Sequence, residues 1–249
     1  MSRPVALITG ASSGIGRATA LHLAGQGYAL LIHHRDSSEA AEAVAQEACR
    51  RGGEALVAGG DVACDEVARR LVQLAVERWG RLDALVNNAA TTTFLEADQW
   101  DRMEPDQWQR IFAVNATGPY LMARASAGWL RQARGAVVNI SSTSGLSGLG
   151  SCPAYAASKA ALNNLTLSLA RALAPEVRVN AVLPGFVDTR WVQQGLGSRY
   201  PRARRRVEQS TPLGAVVQPE QVAEVVASLL QGMSQVTGQL LVVDGGFHL

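Results

Sequence analysis

Lysine is almost missing from this chain: of its 23 Lys and Arg residues, all but Lys159 are arginine. Charge of one sign is also in short supply. The 21 acidic residues leave a net charge of +2, too little to argue for nucleic acid or a membrane surface as partner. The excess of Arg over Lys fits a GC-rich genome, so single arginines carry little functional weight. Cys49, Cys64 and Cys152 are odd in number and follow no metal-ligand spacing, which excludes a disulfide framework and suits reduced thiols in a cytoplasm. No apolar run approaches the ~18 residues that span a bilayer. The first strand pattern starts at Val5, leaving no room for a signal peptide. No repeat or low-complexity segment stands out. With 249 residues, 47% of them apolar, one α/β domain over positions 1–249 with a large core is expected.

The lone lysine falls four residues after one of only four tyrosines, in Tyr155-Ala156-Ala157-Ser158-Lys159. The alanines make this segment helical, and residues four apart share a helix face. A phenol beside an ammonium suits proton transfer. Free tyrosine titrates near ~10, and working near neutrality needs a fall worth about 4 kcal/mol. A positive charge about 4 Å away supplies roughly that at an effective dielectric of about 20. The competing reading is a helix-surface pair without chemistry.

Upstream, Val5-Ala6-Leu7-Ile8 reads as a buried parallel strand running into Thr9-Gly10-Ala11-Ser12-Ser13-Gly14-Ile15-Gly16 and a helix. A glycine-rich turn between strand and helix start is an anion cradle. A second strand ends at His33, followed by His34, Arg35 and Asp36. At that place a carboxylate binds a ribose 2′-hydroxyl and an arginine accommodates a 2′-phosphate, so Arg35 favours NADP(H) while Asp36 keeps NAD(H) open. The two histidines have no third ligand, and no metal is expected. Further strands precede Asp61-Val62, Asn87-Asn88-Ala89-Ala90, Ser141-Ser142 and Pro184-Gly185. Repeated βα units of this kind imply a doubly wound parallel sheet with its ligands across the strands' carboxyl ends. Residues 100–107 read as loop, and a long helix after them as broken near Asn115 and Gly118-Pro119. Leu162, Leu165 and Leu169 read as the apolar stripe of the tyrosine helix. Residues 186–216 lack a clean period and read as a mobile lid.

Together, Thr9-Gly10-x-x-x-Gly14-x-Gly16, Asp61-Val62, Asn87-Asn88-Ala89, Asn115, Ser142, Tyr155-x-x-x-Lys159 and Pro184-Gly185 with Thr189 resemble the short-chain dehydrogenases/reductases over essentially the whole chain, 3-oxoacyl carrier-protein reductases among them. Ala90, where the family usually has glycine, and Ser13, where NADP-preferring members often carry a basic residue, depart from the pattern. The resemblance implies a Rossmann fold with a seven-stranded sheet and helices on both faces. Tyr155 would be the general acid/base, Lys159 would lower its pKa and bond the nicotinamide ribose, Ser142 would bond the substrate oxygen and Asn115 would hold a water. Gly10, Ser12, Ser13, Gly14, Ile15, Gly16, His34, Arg35, Asp61, Val62, Asn88, Ala89, Pro184, Gly185, Val187 and Thr189 would line the cofactor together with Tyr155 and Lys159. A homotetramer or dimer would follow.

The expected activity is NADP(H)-dependent interconversion of a carbonyl and an alcohol. An NAD-linked polyol or sugar dehydrogenase, and a dinucleotide-binding protein without catalysis, stand as alternatives. Phe94, Leu146, Leu149, Phe186 and Trp191 suggest a largely apolar substrate pocket. Arg199, Arg202, Arg204, Arg205 and Arg206 read first as a solvated face and second as a site for an anionic or carrier-bound substrate.

Overall fold

The computed structural model describes residues 3–249. Its strands are β1 (Val5–Ile8), β2 (Ala29–His34), β3 (Glu54–Gly59), β4 (Ala84–Asn87), β5 (Ala136–Ile140), β6 (Arg178–Pro184) and β7 (Leu240–Val243). Its helices are α1 (Gly14–Gly25), α2 (Ser38–Arg50), α3 (Asp65–Trp79), α4 (Pro105–Phe112), α5 (Gly118–Ala133), α6 (Ser144–Ser147), α7 (Pro153–Leu173), α8 (Arg190–Leu196), α9 (Tyr200–Ser210) and α10 (Pro219–Gln231). The strands form one parallel sheet in the order β3-β2-β1-β4-β5-β6-β7, the doubly wound arrangement expected.

Alternation along each strand feeds two cores. Ala6, Ile8, Leu30, Ile32 and Val138 pack with residues of α1, α2 and α10. Val5, Leu7, Leu31, Leu85 and Val137 pack with residues of α3, α5 and α7 on the other face. Burial on both faces explains why the strands read as unbroken apolar runs. The chain leaves β1 toward β2 on one side and resumes at β4 on the other. At that switch the loops diverge and open a crevice at the carboxyl ends.

Four expectations need correction. Residues 100–107 are not loop: a 3-10 turn covers Ala97–Arg102, and α4 begins at Pro105 behind a reciprocal cap between Glu104 and Gln107. The break near Asn115 is real, but it is a π-turn, Ala113–Thr117, in which the Gly118 amide bonds to the Ala113 carbonyl. Pro119 lies in the first turn of α5, where its missing N–H breaks no bond. The 186–216 segment carries α8 and α9, hidden from a periodicity search because neither has a fully buried residue. Finally, Leu165 and Leu169 are only partly buried; the inner face of α7 runs through Ser158, Lys159, Leu162, Asn163, Thr166 and Ala170.

The polar residues on that inner face are tied to the sheet. Asn87 donates to Asn139 Oδ1 at 2.9 Å, Asn139 donates to Thr166 Oγ1 at 2.9 Å, and Thr166 donates to the Leu162 carbonyl at 2.8 Å. This chain of bonds fixes α7, and therefore Tyr155 and Lys159, against β4 and β5.

Candidate active site

A groove of about 460 Å³ crosses the carboxyl ends of the strands. At one end lies the glycine turn. Gly10 adopts φ +63°, and a side chain there would come within 2.9 Å of Ala89 Cα. The turn is clamped from β4: Thr9 Oγ1 accepts from the amides of Asn88 and Ala89, and Asn88 Nδ2 donates to the carbonyls of Thr9 and Gly10, all within 3.0 Å. The first turn of α1 has no acidic residue and Ser13 makes no side-chain cap, so its N–H groups face the groove free for an anion. Ser12, Ser13, Gly14 and Ile15 line the groove beside Gly10.

Beyond the turn, two ion pairs face the groove. Arg35 pairs with Asp36, and Arg110 donates to Asp61 Oδ2 at 2.5 Å. Burial acts to raise the Asp61 carboxyl, but the bonds from Arg110 and the Ala63 amide outweigh it and hold it below the usual range.

At the other end stand Ser142, Tyr155 and Lys159. The alternation of β5 carries on into the two serines that follow it and separates them. Ser141 donates to the Lys159 carbonyl, whereas Ser142 lines the groove with Tyr155, donates to Ser144 Oγ and accepts from the Ser144 amide, both at 3.1 Å. Lys159 is 2% exposed and its Nζ donates to the Ile140 carbonyl at 2.8 Å. Burial lowers this ammonium to about 7 and raises the Tyr155 phenol to about 12. The groove side of Tyr155 is partly exposed, so water there works against the second shift, but its direction stands because the ammonium is directed at Ile140 rather than at the hydroxyl. The expected acidification of Tyr155 by Lys159 is therefore absent from this arrangement.

Asn115 is fully buried and pinned at both ends of its amide. Oδ1 accepts from the Thr91 amide at 2.8 Å, and Nδ2 donates to the Thr91 carbonyl and Ser158 Oγ at 3.0 Å. It binds the β4 loop to the turn of α7 just before Lys159. Val62, Asn88, Ala89, Pro184, Gly185, Val187 and Thr189 line the groove; Thr189 also caps α8, accepting from the Val192 amide.

Gly16, His34 and Asn115 are not on the groove wall. A side chain at Gly16 would lie 2.5 Å from Asn88 Nδ2, so this glycine serves close packing. The His34 ring turns to Gly59, and its buried Nδ1 has no partner among the described residues. The neighbour that sequence reasoning passed over, His33, is the one in the wall: it is 1% exposed, Nδ1 accepts from the Gly10 amide at 3.1 Å and Nε2 meets the Gly60 carbonyl at 2.9 Å. Alternation separates the two histidines but does not say which face turns to the crevice.

Of the five residues expected to form an apolar pocket, only Trp191 lines the groove. Its ring lies 6.1 Å from Tyr155 and, edge-on, 5.8 Å from Phe94. Phe94 in turn fits against α8 at Gly195, where any side chain would overlap its ring. An Arg199–Glu96 ion pair ties the start of α9 to the same segment. Phe186 stacks on Tyr200 instead, and Leu146 and Leu149 are exposed.

The model of the enoyl-(acyl carrier protein) reductase family matches residues 10–248. A ketoacyl reductase named for the granaticin polyketide synthase of Streptomyces violaceoruber is 40% identical, over 99% of this chain and 96% of its own length. A 3-oxoacyl-[acyl-carrier-protein] reductase of Synechocystis is 37% identical, over 99% and 97%. Among solved structures, a protein of Burkholderia xenovorans described as a short-chain dehydrogenase/reductase superposes with TM-score 0.92 at 39% identity, covering 100% of this chain and 99% of that one. Levodione reductase superposes with TM-score 0.91 at 29% identity, covering 99% and 98%. A fold, a groove and relatives that agree along the full chain give one conclusion: the protein is an oxidoreductase of the short-chain dehydrogenase/reductase family.

Proposed function

We propose that the protein reduces a ketone to an alcohol with NADP(H), using Tyr155 as the proton donor. The observation that carries this is the placing of Ser142, Tyr155 and Lys159 together in the wall of the groove that begins at the glycine turn. The residues fit a dinucleotide. The open N–H groups at α1 suit a pyrophosphate, and the Lys159 ammonium has three protons of which one is engaged at Ile140. When bound, such a cofactor supplies the hydride. Ser142 and Tyr155 donate to the carbonyl oxygen and stabilise the charge that develops on it. The phenol then gives its proton to the alkoxide, a far stronger base than a phenolate. Lys159 orients a ribose hydroxyl, and Asn115 keeps the β4 loop and α7 in register. Tyr155→Phe tests this: turnover of a carbonyl panel should fall by about a thousandfold or more while cofactor affinity holds. Intact turnover would leave a dinucleotide-binding protein without this chemistry.

Arg35 at the end of β2 supports NADP(H) through its guanidinium. Asp36 beside it supports the second reading, an NAD-linked alcohol or polyol dehydrogenase. Initial rates with the two cofactors at equal concentration separate them.

For the substrate, the names of the relatives suggest a 3-oxoacyl group on a carrier. The outer face of α9 supports it. Arg202, Arg205 and Arg206 lie three and four residues apart, are exposed, and have no ion-pair partner among the described residues. Such like-charged pairs each weaken a helix by roughly 0.2–0.5 kcal/mol, a cost that an acidic partner would relieve. Activity on a carrier-bound substrate should then fall steeply with added salt, while activity on a small neutral ketone stays flat.

A further inference from the structure

We propose that His33 is a positioning residue of the cofactor groove: a neutral imidazole, protonated on Nε2, whose bare Nδ1 sets the Gly10 amide and with it the glycine turn. This rests on the reading that the groove takes a nicotinamide dinucleotide.

The tautomer follows from the partners. The Gly60 carbonyl, 2.9 Å from Nε2, can only accept, so Nε2 carries the proton. The Gly10 amide, 3.1 Å from Nδ1, can only donate, so Nδ1 is bare. Neither partner can exchange roles, because both are backbone groups. The ring is 1% exposed, so bulk solvent does not compete for either nitrogen.

Its two partners are glycines in left-handed backbone, φ +63° at Gly10 and +146° at Gly60. These are the loops that leave β1 and β3, and His33 ties them together across β2. Without an acceptor at Nδ1, the part-buried Gly10 amide loses its protein partner, and the turn that presents the α1 amides loses an anchor.

Protonation would set one N–H against another at that point. Burial acts first to keep the imidazole below its ordinary range. His34 on the same strand and Arg70 of α3 lower it further, while the Gly60 carbonyl and Asp61 act the other way. Arg35 and Asp36, next along the chain, are paired with each other, and Asp61 is paired with Arg110. His33 is thus neutral at neutral pH, and cofactor affinity should be lost only as pH falls below the ordinary imidazole range.

Long-range proton–nitrogen spectra of the cofactor-free protein near neutral pH should show His33 protonated on Nε2 and bare on Nδ1. A proton on Nδ1 overturns the proposal, and this measurement needs no variant. His33→Leu should weaken NADPH binding, read by cofactor fluorescence, by about tenfold, and speed hydrogen exchange at the Gly10 amide by a similar factor. Turnover at saturating cofactor should stay within about threefold, and His33→Asn, which keeps an acceptor and a donor, should recover most of the affinity. A folded Leu variant with unchanged Gly10 exchange and unchanged NADPH affinity also overturns it. If the wild type bound neither NADPH nor NADH while the tautomer and exchange results held, the functional reading would fail and the anchoring of the turn would stand.

Discussion

The ammonium of Lys159 lies 5.7 Å from the centre of the Tyr155 ring, yet its hydrogen bond goes to the Ile140 carbonyl. The two side chains share one face of α7 without forming a phenolate–ammonium pair. A phenol raised to about 12 is neutral at physiological pH, which is the form that gives a proton away.

The directionality should show in pH profiles. Ketone reduction needs the protonated phenol and should be flat across neutral pH, whereas alcohol oxidation needs the phenolate and should climb toward alkaline pH. Steady-state rates in both directions check this. An oxidation rate that levels off near neutrality would show that Lys159 does acidify the phenol in the working complex.

Burying Lys159 should destabilise the fold in a pH-dependent way. Its folded pKa of about 7 lies below the ordinary 10.5, so the unfolded chain holds more protons in between and stability rises with pH across that window. The penalty is fully present below about 7. Lys159→Met should therefore raise Tm near neutral pH and below, and the gain should shrink toward alkaline pH. For a chain of this size each kcal/mol gained adds roughly 2–4 °C. Thermal melts of both proteins across pH decide it, and a variant less stable at every pH contradicts it.

At the far end of the groove, Arg35→Ala should weaken NADP binding by about tenfold or more and leave NAD nearly unchanged. Asp36, released from its partner, would remain for a ribose hydroxyl. Paired titrations of the two cofactors read the change directly; an NADP preference that survives would move the source of selectivity away from Arg35.

Trp191 covers the ring of Tyr155 and is braced by Phe94. Trp191→Ala should raise KM for bulky apolar ketones by about tenfold while changing kcat little, because the proton donor and Ser142 are untouched. A matched loss on the smallest ketones would mean that the indole positions Tyr155 rather than substrate.

The architecture was legible because buried strands advertise themselves as apolar runs and the Tyr155–Lys159 spacing survives any small error in helix limits. The orientation of the ammonium was not, since its partner is a backbone carbonyl on β5, 19 positions away in sequence. The histidines show a similar gap. His33 and His34 were both visible, but only the sheet's surroundings determine which one enters the crevice. Asn115 was placed correctly at a helix break, yet its attachment to Thr91 depends on a loop with no local signature. In α9 the residues nearest the body, Tyr200, Ala203 and Val207, are only half-covered, so no apolar stripe marks the helix.

The contact of Phe94 with Gly195 makes the chain after β4 and helix α8 a mated pair behind Trp191. The ring occupies the space a β-carbon would need, so neither position can change size without the other answering. Descendants of this protein that come to accept larger or smaller molecules should therefore alter the two sites in concert, and a library that varies them jointly should reach new substrates that single replacements miss.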